Sequence, residues 1–193
     1  MQSLKDASVQ LYLDFIDKDG KWISNNITEH TQPSNGTFMT FNLTGQVPAN
    51  AVAVKVYGIL RSLKDGATGT MYVDDLHFEH ITSKERTHNS SFESFSNGDE
   101  IANGWKKENW GAARAHFQVQ KFNDRIVQCI EGKGIGHNGI AAISQSVKMT
   151  PNQPYLLKGS LNVLSLNNAK VQLYMDFYDK NDRHLGVNII DHL

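Results

Sequence analysis

The sequence predicts an all-β fold, arranged as an antiparallel β-sandwich. About ten short segments alternate apolar and polar residues, the period of a strand with one buried face. Clusters rich in Gly, Pro, Asn and Asp separate them, as at residues 17–20 and 32–36, and such residues favour tight turns. No segment sustains the 3.6-residue period of a helix, so we expect very little helix.

One strand-like stretch occurs twice. Residues 9–18 read Val-Gln-Leu-Tyr-Leu-Asp-Phe-Ile-Asp-Lys, and residues 171–180 read Val-Gln-Leu-Tyr-Met-Asp-Phe-Tyr-Asp-Lys. Aligned without a gap, residues 8–30 and 170–192 are identical at 11 of 23 positions, at a spacing of 162 residues. Such a spacing predicts slightly more than one period of a tandem array, cut within its repeats.

The opening stretch is predicted to be a half-buried strand that forms a hairpin with a second strand near residues 22–28. Its inward face holds Val9, Leu11, Leu13 and Phe15. The next strands are expected at residues 38–44, 51–62 and 70–81. Their expected inward positions are Met39, Phe41 and Leu43, then Val52, Val54, Val56 and Leu60, then Tyr72, Asp74, Leu76 and Phe78.

Short β segments are expected again from residue 89. They lie around Trp105 and Trp110 and at residues 116–120, 125–131, 140–149 and 155–163. Cys129, the single cysteine, falls within one of them, and we expect a buried, inert thiol.

Composition excludes several function classes. Lys plus Arg number 19 and Asp plus Glu number 20, giving a formal charge of −1. With no basic cluster, nucleic acid is not an expected partner. No apolar run is long enough to span a bilayer, so no membrane partner is expected either.

An ordered set of motifs carries a family resemblance. From residue 89 the chain reads Asn-Ser-Ser-Phe-Glu, then Gly-Trp at 104, Ile-Ser-Gln-Ser-Val at 143 and Thr-Pro-Asn-Gln-Pro-Tyr at 150. The first half supplies Val-Pro-Ala at 47 and Tyr-Val-Asp-Asp-Leu-His-Phe at 72. With its halves in swapped order, nearly the whole chain resembles the carbohydrate-binding modules of families four, nine, sixteen and twenty-two. The resemblance implies a β-sandwich jelly roll, found in tandem on polysaccharide-degrading and cell-surface proteins.

The swapped order predicts how the chain is divided. Residues 1–82 are expected to be the C-terminal half of one repeat, 83–88 a linker, and 89–193 the N-terminal half of the next. Neither half offers enough strands to close a sandwich alone. We expect the halves to combine into one permuted sandwich, or to form a strand-swapped homo-oligomer, since one copy of the repeated stretch is left over.

The repeated stretch also predicts a sugar-binding surface. Its outward residues pair an aromatic ring with an amide and a carboxylate, which suits the C–H patches and hydroxyls of a sugar. An outward Tyr is also an ordinary strand former with a packing role, and both interpretations stay open. With the positions that the resemblance adds on a concave sheet, the candidates are Gln10, Tyr12, Asp14, Lys55, Tyr57, Arg61, His137, Gln172, Tyr174 and Asp176.

The tryptophans divide between core and site. Trp105 matches a structural tryptophan of the family and is expected to pack in the core. Trp110 is either a loop platform for a sugar ring or a cover for the edge of the core. Trp22 and its counterpart His184 differ between the two copies, which argues against a site required in each repeat.

Calcium is the ion that the resemblance implies. Glu93 matches the first-strand glutamate of the family and Asp74 the first of its paired aspartates, and an inward carboxylate at Asp74 needs a partner or a metal. Backbone carbonyls near Ser91 and Asp124 would complete a shell of hard oxygen ligands.

The expected function is non-catalytic carbohydrate binding that attaches a larger secreted or cell-surface protein to a polysaccharide. One alternative is a structural or adhesive β-sandwich repeat that binds no glycan. A second is a glycosidase or polysaccharide lyase on the same fold. It is disfavoured because Asp74 and Asp75, the only close carboxylate pair, are expected to point to opposite faces of their strand.

Overall fold

The computed structural model describes residues 9–16, 22–30, 34–49, 51, 53–81, 87–148 and 150–190. These residues form β-strands, turns and irregular segments without a helix, which confirms the all-β prediction. The strands are β1 Val9–Ile16, β2 Trp22–His30, β3 Met39–Gln46, β4 Ala53–Ser62, β5 Ala67–His80, β6 Lys106–Trp110, β7 Ala115–Phe122, β8 Arg125–Ile135, β9 Ile140–Lys148, β10 Pro154–Asn167, β11 Ala169–Tyr178 and β12 His184–Ile190. In this part of the chain no helix is available to cross a membrane.

The strands build two sheets. The larger has seven strands in the order β2-β1-β12-β11-β4-β9-β6, and the smaller has five in the order β3-β10-β5-β8-β7. Neighbouring strands run antiparallel, and the additional pairing between β1 and β11 is parallel.

One apolar core lies between the two sheets, which gives a sandwich-like arrangement. From the larger sheet β11 contributes a fully buried row of four residues, as its alternation predicts. From the smaller sheet β5, β10 and β8 contribute residues such as Met71, Leu161 and Ile130. Burial of such side chains stabilises each by about 1.5–3 kcal/mol relative to exposure. The β11 row consists of Val171, Leu173, Met175 and Phe177.

Strands from the two parts of the chain alternate in both sheets. In the larger sheet β4 lies between β11 and β9, and in the smaller sheet β5 lies between β10 and β8. Each of the two sheets therefore takes its described strands both from residues 1–82 and from residues 89–193.

A bulge in β5 overturns one predicted face. Asp75 has a φ of 52° in the middle of the strand, and the pairing with β10 shifts between Lys158 and Ser160 at the same point. An extra residue at a bulge reverses the alternation beyond it. The expectation that Tyr72, Asp74, Leu76 and Phe78 share a face is therefore wrong: the second pair lies in the central core and the first pair on the opposite, outer face.

The end of the larger sheet curls. β1 pairs with β12 and also with β11 at Tyr12 and Tyr174, and β2 approaches β11 although two strands separate them in the sheet order. The curl brings the β1–β2 hairpin toward the outer face of β11.

Candidate functional site

The candidate site lies on the outer face of the seven-stranded sheet, the face turned away from the core. Cross-strand pairing places residues of β11, β4, β9 and β6 in rows across this face. One row runs Gln172, Ile59, Ala142, Glu108, and the next runs Tyr174, Tyr57, Ser144, Lys106. The sequence-predicted residues Tyr57, Gln172 and Asp176 therefore share a surface.

Asp176 is the centre of a hydrogen-bonded cluster on this face. The Tyr57 hydroxyl donates to Asp176 Oδ2 from the neighbouring strand. Tyr178 donates to the same oxygen at 3.3 Å, and His184 Nε2 lies 2.8 Å from Oδ1. The Asp176 side chain is 9% exposed, and such a buried carboxylate is stable only when its oxygens have partners.

The contact with Asp176 determines which ring nitrogen of His184 carries a hydrogen. A carboxylate only accepts hydrogen bonds, so Nε2 of His184 must carry the hydrogen in the 2.8 Å contact. Burial, together with the charge of Asp176, raises the pKa of Tyr178 to about 12. Tyr178 is therefore a hydrogen-bond donor throughout the neutral range.

An aromatic pair adjoins the cluster. The Trp110 ring lies over the Tyr57 ring, with centroids 5.6 Å apart and planes inclined by 59°. Tyr57 is 1% exposed whereas Trp110 is 38% exposed. Trp110 therefore keeps part of its side chain exposed to solvent while it packs at an angle on the buried Tyr57 ring.

A side-chain hydrogen bond also connects β6 to β9 on the same face. Ser144 Oγ donates to Glu108 Oε1 at 2.8 Å. Together with Ile59 and Ala142, which cluster with Tyr57, this bond holds β6 and Trp110 against the sheet.

The outer face is more buried than the sequence predicts. Gln172 is 1% exposed and Asp176 is nearly buried, although both were expected on a solvent-facing row. The contacts of Asp176 with Tyr57, Tyr178 and His184 contribute to its burial, and an alternation pattern cannot reveal such tertiary contacts.

The other predicted sugar-site residues are spread more widely. Arg61 is half-buried on the same face, in the sheet row that contains Ile140 and Trp110. His137 is exposed in the β8–β9 loop, where its backbone N–H donates to Asp65 Oδ1 at 2.6 Å. That loop meets the end of β4, because Ser62 N–H donates to Gly139 O. Outside the described part of the structure lie the side chains of Gln10, Tyr12, Asp14, Lys55 and Tyr174.

Asp74, the buried member of the predicted calcium ligands, lies on β5 of the smaller sheet. Asp74 is buried, and its carboxylate accepts from Arg125 Nη1 at 2.9 Å and from Asp75 N–H at 2.8 Å. Desolvation and the Asp75 charge raise the pKa of Asp74 to about 6, against the opposing effect of Arg125. Arg125 also reaches Asp75 at 3.2 Å, so the expectation that the two carboxylates point to opposite faces is wrong, and the bulge is the reason.

The remaining members of the predicted calcium set are Glu93, Ser91 and Asp124, and the charge of Glu93 contributes to the raised pKa of Asp74. Glu93 is exposed and Ser91 is half-buried, while Asp124 lies at a turn and pairs with Lys121 at 2.9 Å. Among the described residues no group of three or more His, Cys, Asp or Glu side chains is arranged to hold a metal ion. Arg125 lies beside Asp74, where the family resemblance predicts a calcium ion.

Two further predictions concern buried groups. Trp105 packs on Phe92 with centroids 5.1 Å apart and donates from Nε1 to Asn89 O, so its core role is confirmed. Cys129 is buried as predicted, and desolvation raises the pKa of its thiol to about 12.

His184, Tyr178 and Glu108 were missed by sequence reasoning. In the sequence the difference between Trp22 and His184 argues against a site required in each repeat, yet His184 contacts Asp176 directly. The hairpin register could have found it, because His184 pairs with Tyr178 across a bulge two residues beyond Asp176.

Comparisons with protein-family models, with curated proteins and with solved structures produced no match to this chain.

Proposed function

We propose that the chain binds carbohydrate on the outer face of the seven-stranded sheet, around Trp110 and the Asp176 cluster. The observation that carries the proposal is the half-exposed Trp110 ring held on the buried Tyr57 ring. A sugar ring stacks on a fixed indole through its C–H face, at little entropic cost because the indole is already positioned.

Polar groups elsewhere on the same sheet supply the second requirement of a sugar site. Glu108 lies in the same sheet row as Gln172, one row from Tyr57. Glu108 is half-buried and His184 is exposed, so both can meet hydroxyl groups. Hydroxyls need donors and acceptors at fixed positions, and the sheet register provides them.

The resemblance to carbohydrate-binding modules agrees with this surface. Under the proposal the sandwich is a jelly roll whose halves occur in permuted order, and it attaches a larger secreted or cell-surface protein to a polysaccharide. Non-catalytic binding suits the Asp74 and Asp75 pair, since both carboxylates are already engaged in ion pairs with Arg125.

A second candidate is a structural repeat that binds no glycan. The burial of Tyr57 and Gln172 favours it, because outer-face side chains that pack under neighbouring strands stabilise the fold instead of meeting a ligand. The two candidates differ in what Trp110 does: it is a ligand contact in the first and a cover for Tyr57 in the second.

Affinity electrophoresis through gels containing xylan, β-glucan or mannan tests the proposal. The wild-type chain should be retarded by at least one polysaccharide, and Trp110→Ala should abolish the retardation while keeping its far-ultraviolet circular dichroism. Ile81→Ala is the matched control, because Ile81 is exposed and follows β5 of the other sheet. Unchanged mobility of the wild-type chain on all three gels supports the structural repeat.

A further inference from the structure

The two hairpins made by the repeated sequence have the same strand register. In the β11–β12 hairpin Met175 faces Asn188, Phe177 faces Gly186 and Tyr178 faces His184. In the β1–β2 hairpin the positions 162 residues earlier are paired in the same way: Leu13 with Asn26, Phe15 with Ser24 and Ile16 with Trp22. The irregularity also recurs at the same point, before Tyr178 in one and before Ile16 in the other.

The hairpins also carry the same core-facing residues. The buried row of β11 consists of Val171, Leu173, Met175 and Phe177, and the equivalent positions of β1 are Val9, Leu11, Leu13 and Phe15. Replacing Met by Leu conserves volume closely and is among the best tolerated core changes. Either hairpin therefore has the side chains to complete the core beside β4.

Both hairpins are attached close to that position. β11 follows β10 after Asn168 alone, and β2 leads into β3 through residues 31–38. β3 and β10 are neighbours in the five-stranded sheet. One hairpin is thus tethered through its first strand and the other through its second, at adjacent places in the fold.

We propose that the two hairpins are interchangeable occupants of the position beside β4 within one chain. β11–β12 holds the position in the structure described here, with β11 paired to β4 from Ala169 to Tyr178. In the alternative arrangement β1–β2 takes it and β11–β12 moves to the edge of the sheet. Two packings of closely similar energy are a known basis for such exchange.

The exchange changes the candidate site, and this part of the inference rests on the proposed function. Gln172 and Asp176 would be replaced by the identical residues Gln10 and Asp14, whereas Tyr178 becomes Ile16 and His184 becomes Trp22. Two of the hydrogen-bond partners of Asp176, Tyr178 and His184, are thereby exchanged for an apolar side chain and an indole, while Tyr57 of β4 is retained. One chain can thus present a polar site or a more aromatic one.

Core substitutions in either hairpin test the exchange without any ligand. Phe177 is fully buried and lies 6.1 Å from the Tyr155 ring. If the hairpins are interchangeable, Phe177→Asp should leave a cooperatively folded chain, because β1–β2 takes over. Phe15→Asp should also fold, and the double variant should not. Urea titrations monitored by circular dichroism measure whether each of the three variants folds cooperatively.

Phe78→Asp is the matched control, since Phe78 is equally buried, packs on the same Tyr155 ring at 5.6 Å and has no duplicate. It should unfold the chain. If Phe177→Asp unfolds the chain as Phe78→Asp does, the hairpins are not interchangeable. If Phe177→Asp folds only as a concentration-dependent dimer by light scattering, the hairpin comes from a second copy and the intrachain assignment is overturned.

The site consequence is measured separately. Affinity electrophoresis should give different retardation for Phe15→Asp, which fixes the His184 form, and for Phe177→Asp, which fixes the Trp22 form. Equal retardation overturns the change of site while leaving the exchange intact. If neither variant nor the wild-type chain is retarded, the proposed function fails, and the unfolding experiments still decide the exchange.

Discussion

The Tyr57 hydroxyl of β4 donates a hydrogen bond to the Asp176 carboxylate of β11 across the strand boundary. The two residues are diagonal neighbours, because Tyr57 pairs with Tyr174 and Asp176 pairs with Lys55. The bond therefore fixes how β11 sits against β4, and it joins the Asp176 carboxylate to the tyrosine that Trp110 contacts. Stability and the shape of the candidate site depend on the same contact.

Replacing Tyr57 with Phe should lower stability. The substitution keeps the ring under Trp110 and removes one donor from a nearly buried carboxylate, and a hydrogen bond to a charged group contributes about 1.5–3 kcal/mol. We expect a loss in that range in urea unfolding at neutral pH. Tyr178→Phe, whose bond to Asp176 is 3.3 Å long, should lose less. Equal losses of stability in the two variants would contradict the inference that Tyr57 forms a stronger hydrogen bond to Asp176 than Tyr178 does.

The raised pKa of Tyr178 predicts a loss of stability in alkali. Tyr178 ionises near pH 10 when unfolded and near pH 12 when folded, so between these values the folded state binds more protons. The free energy of unfolding must then fall as the pH rises from about 10 toward 12. Tyr178→Phe should flatten this slope. Ultraviolet titration of tyrosinate should also lose a group that ionises near pH 12 in the variant, and an unchanged titration would refute the assignment.

The fold class and the core could be predicted from the sequence because alternation reports directly which face of a strand is buried. The row from Val171 to Phe177 illustrates this, since each of its four alternate residues is fully buried. β3 follows the same rule with Phe41 and Leu43.

Two features of the site could not be predicted in the same way. Alternation assigns one face to solvent, but Gln172 and Tyr57 lie on that face and are buried, because the neighbours that cover a strand are set by tertiary packing. The second feature is the bulge at Asp75, which reverses alternation through one backbone conformation. The apolar residues change parity there, from Met71 and Val73 to Leu76 and Phe78, but Tyr72 extends the even-numbered series and conceals the change.

Calcium remains a prediction of the family resemblance, and a chelator tests it. A bound ion would stabilise the folded chain by mass action, so an excess of EDTA should lower the melting temperature and added calcium should restore it. The contacts of Asp74 with Arg125 and Asp75 predict a different result for Arg125→Ala. That variant leaves a buried carboxylate without its cation and should be destabilised with or without the chelator. A melting temperature that EDTA does not change would contradict the prediction that bound calcium stabilises the folded chain.

Substitutions at Asp75 should distinguish the bulge from the ion pair that accompanies it. Asp75 has a φ of 52°, and residues other than Gly, Asn and Asp adopt this region at a cost of about 1–2 kcal/mol. Asp75→Asn removes the half-exposed ion pair with Arg125 but tolerates the backbone, so its loss should stay below about 1 kcal/mol. Asp75→Val removes the same ion pair and adds the backbone strain. We therefore expect Asp75→Val to be less stable than Asp75→Asn by about 1–2 kcal/mol in urea unfolding. Equal stability would show that the chain does not need the left-handed conformation at Asp75, and that the face reversal in β5 has another cause.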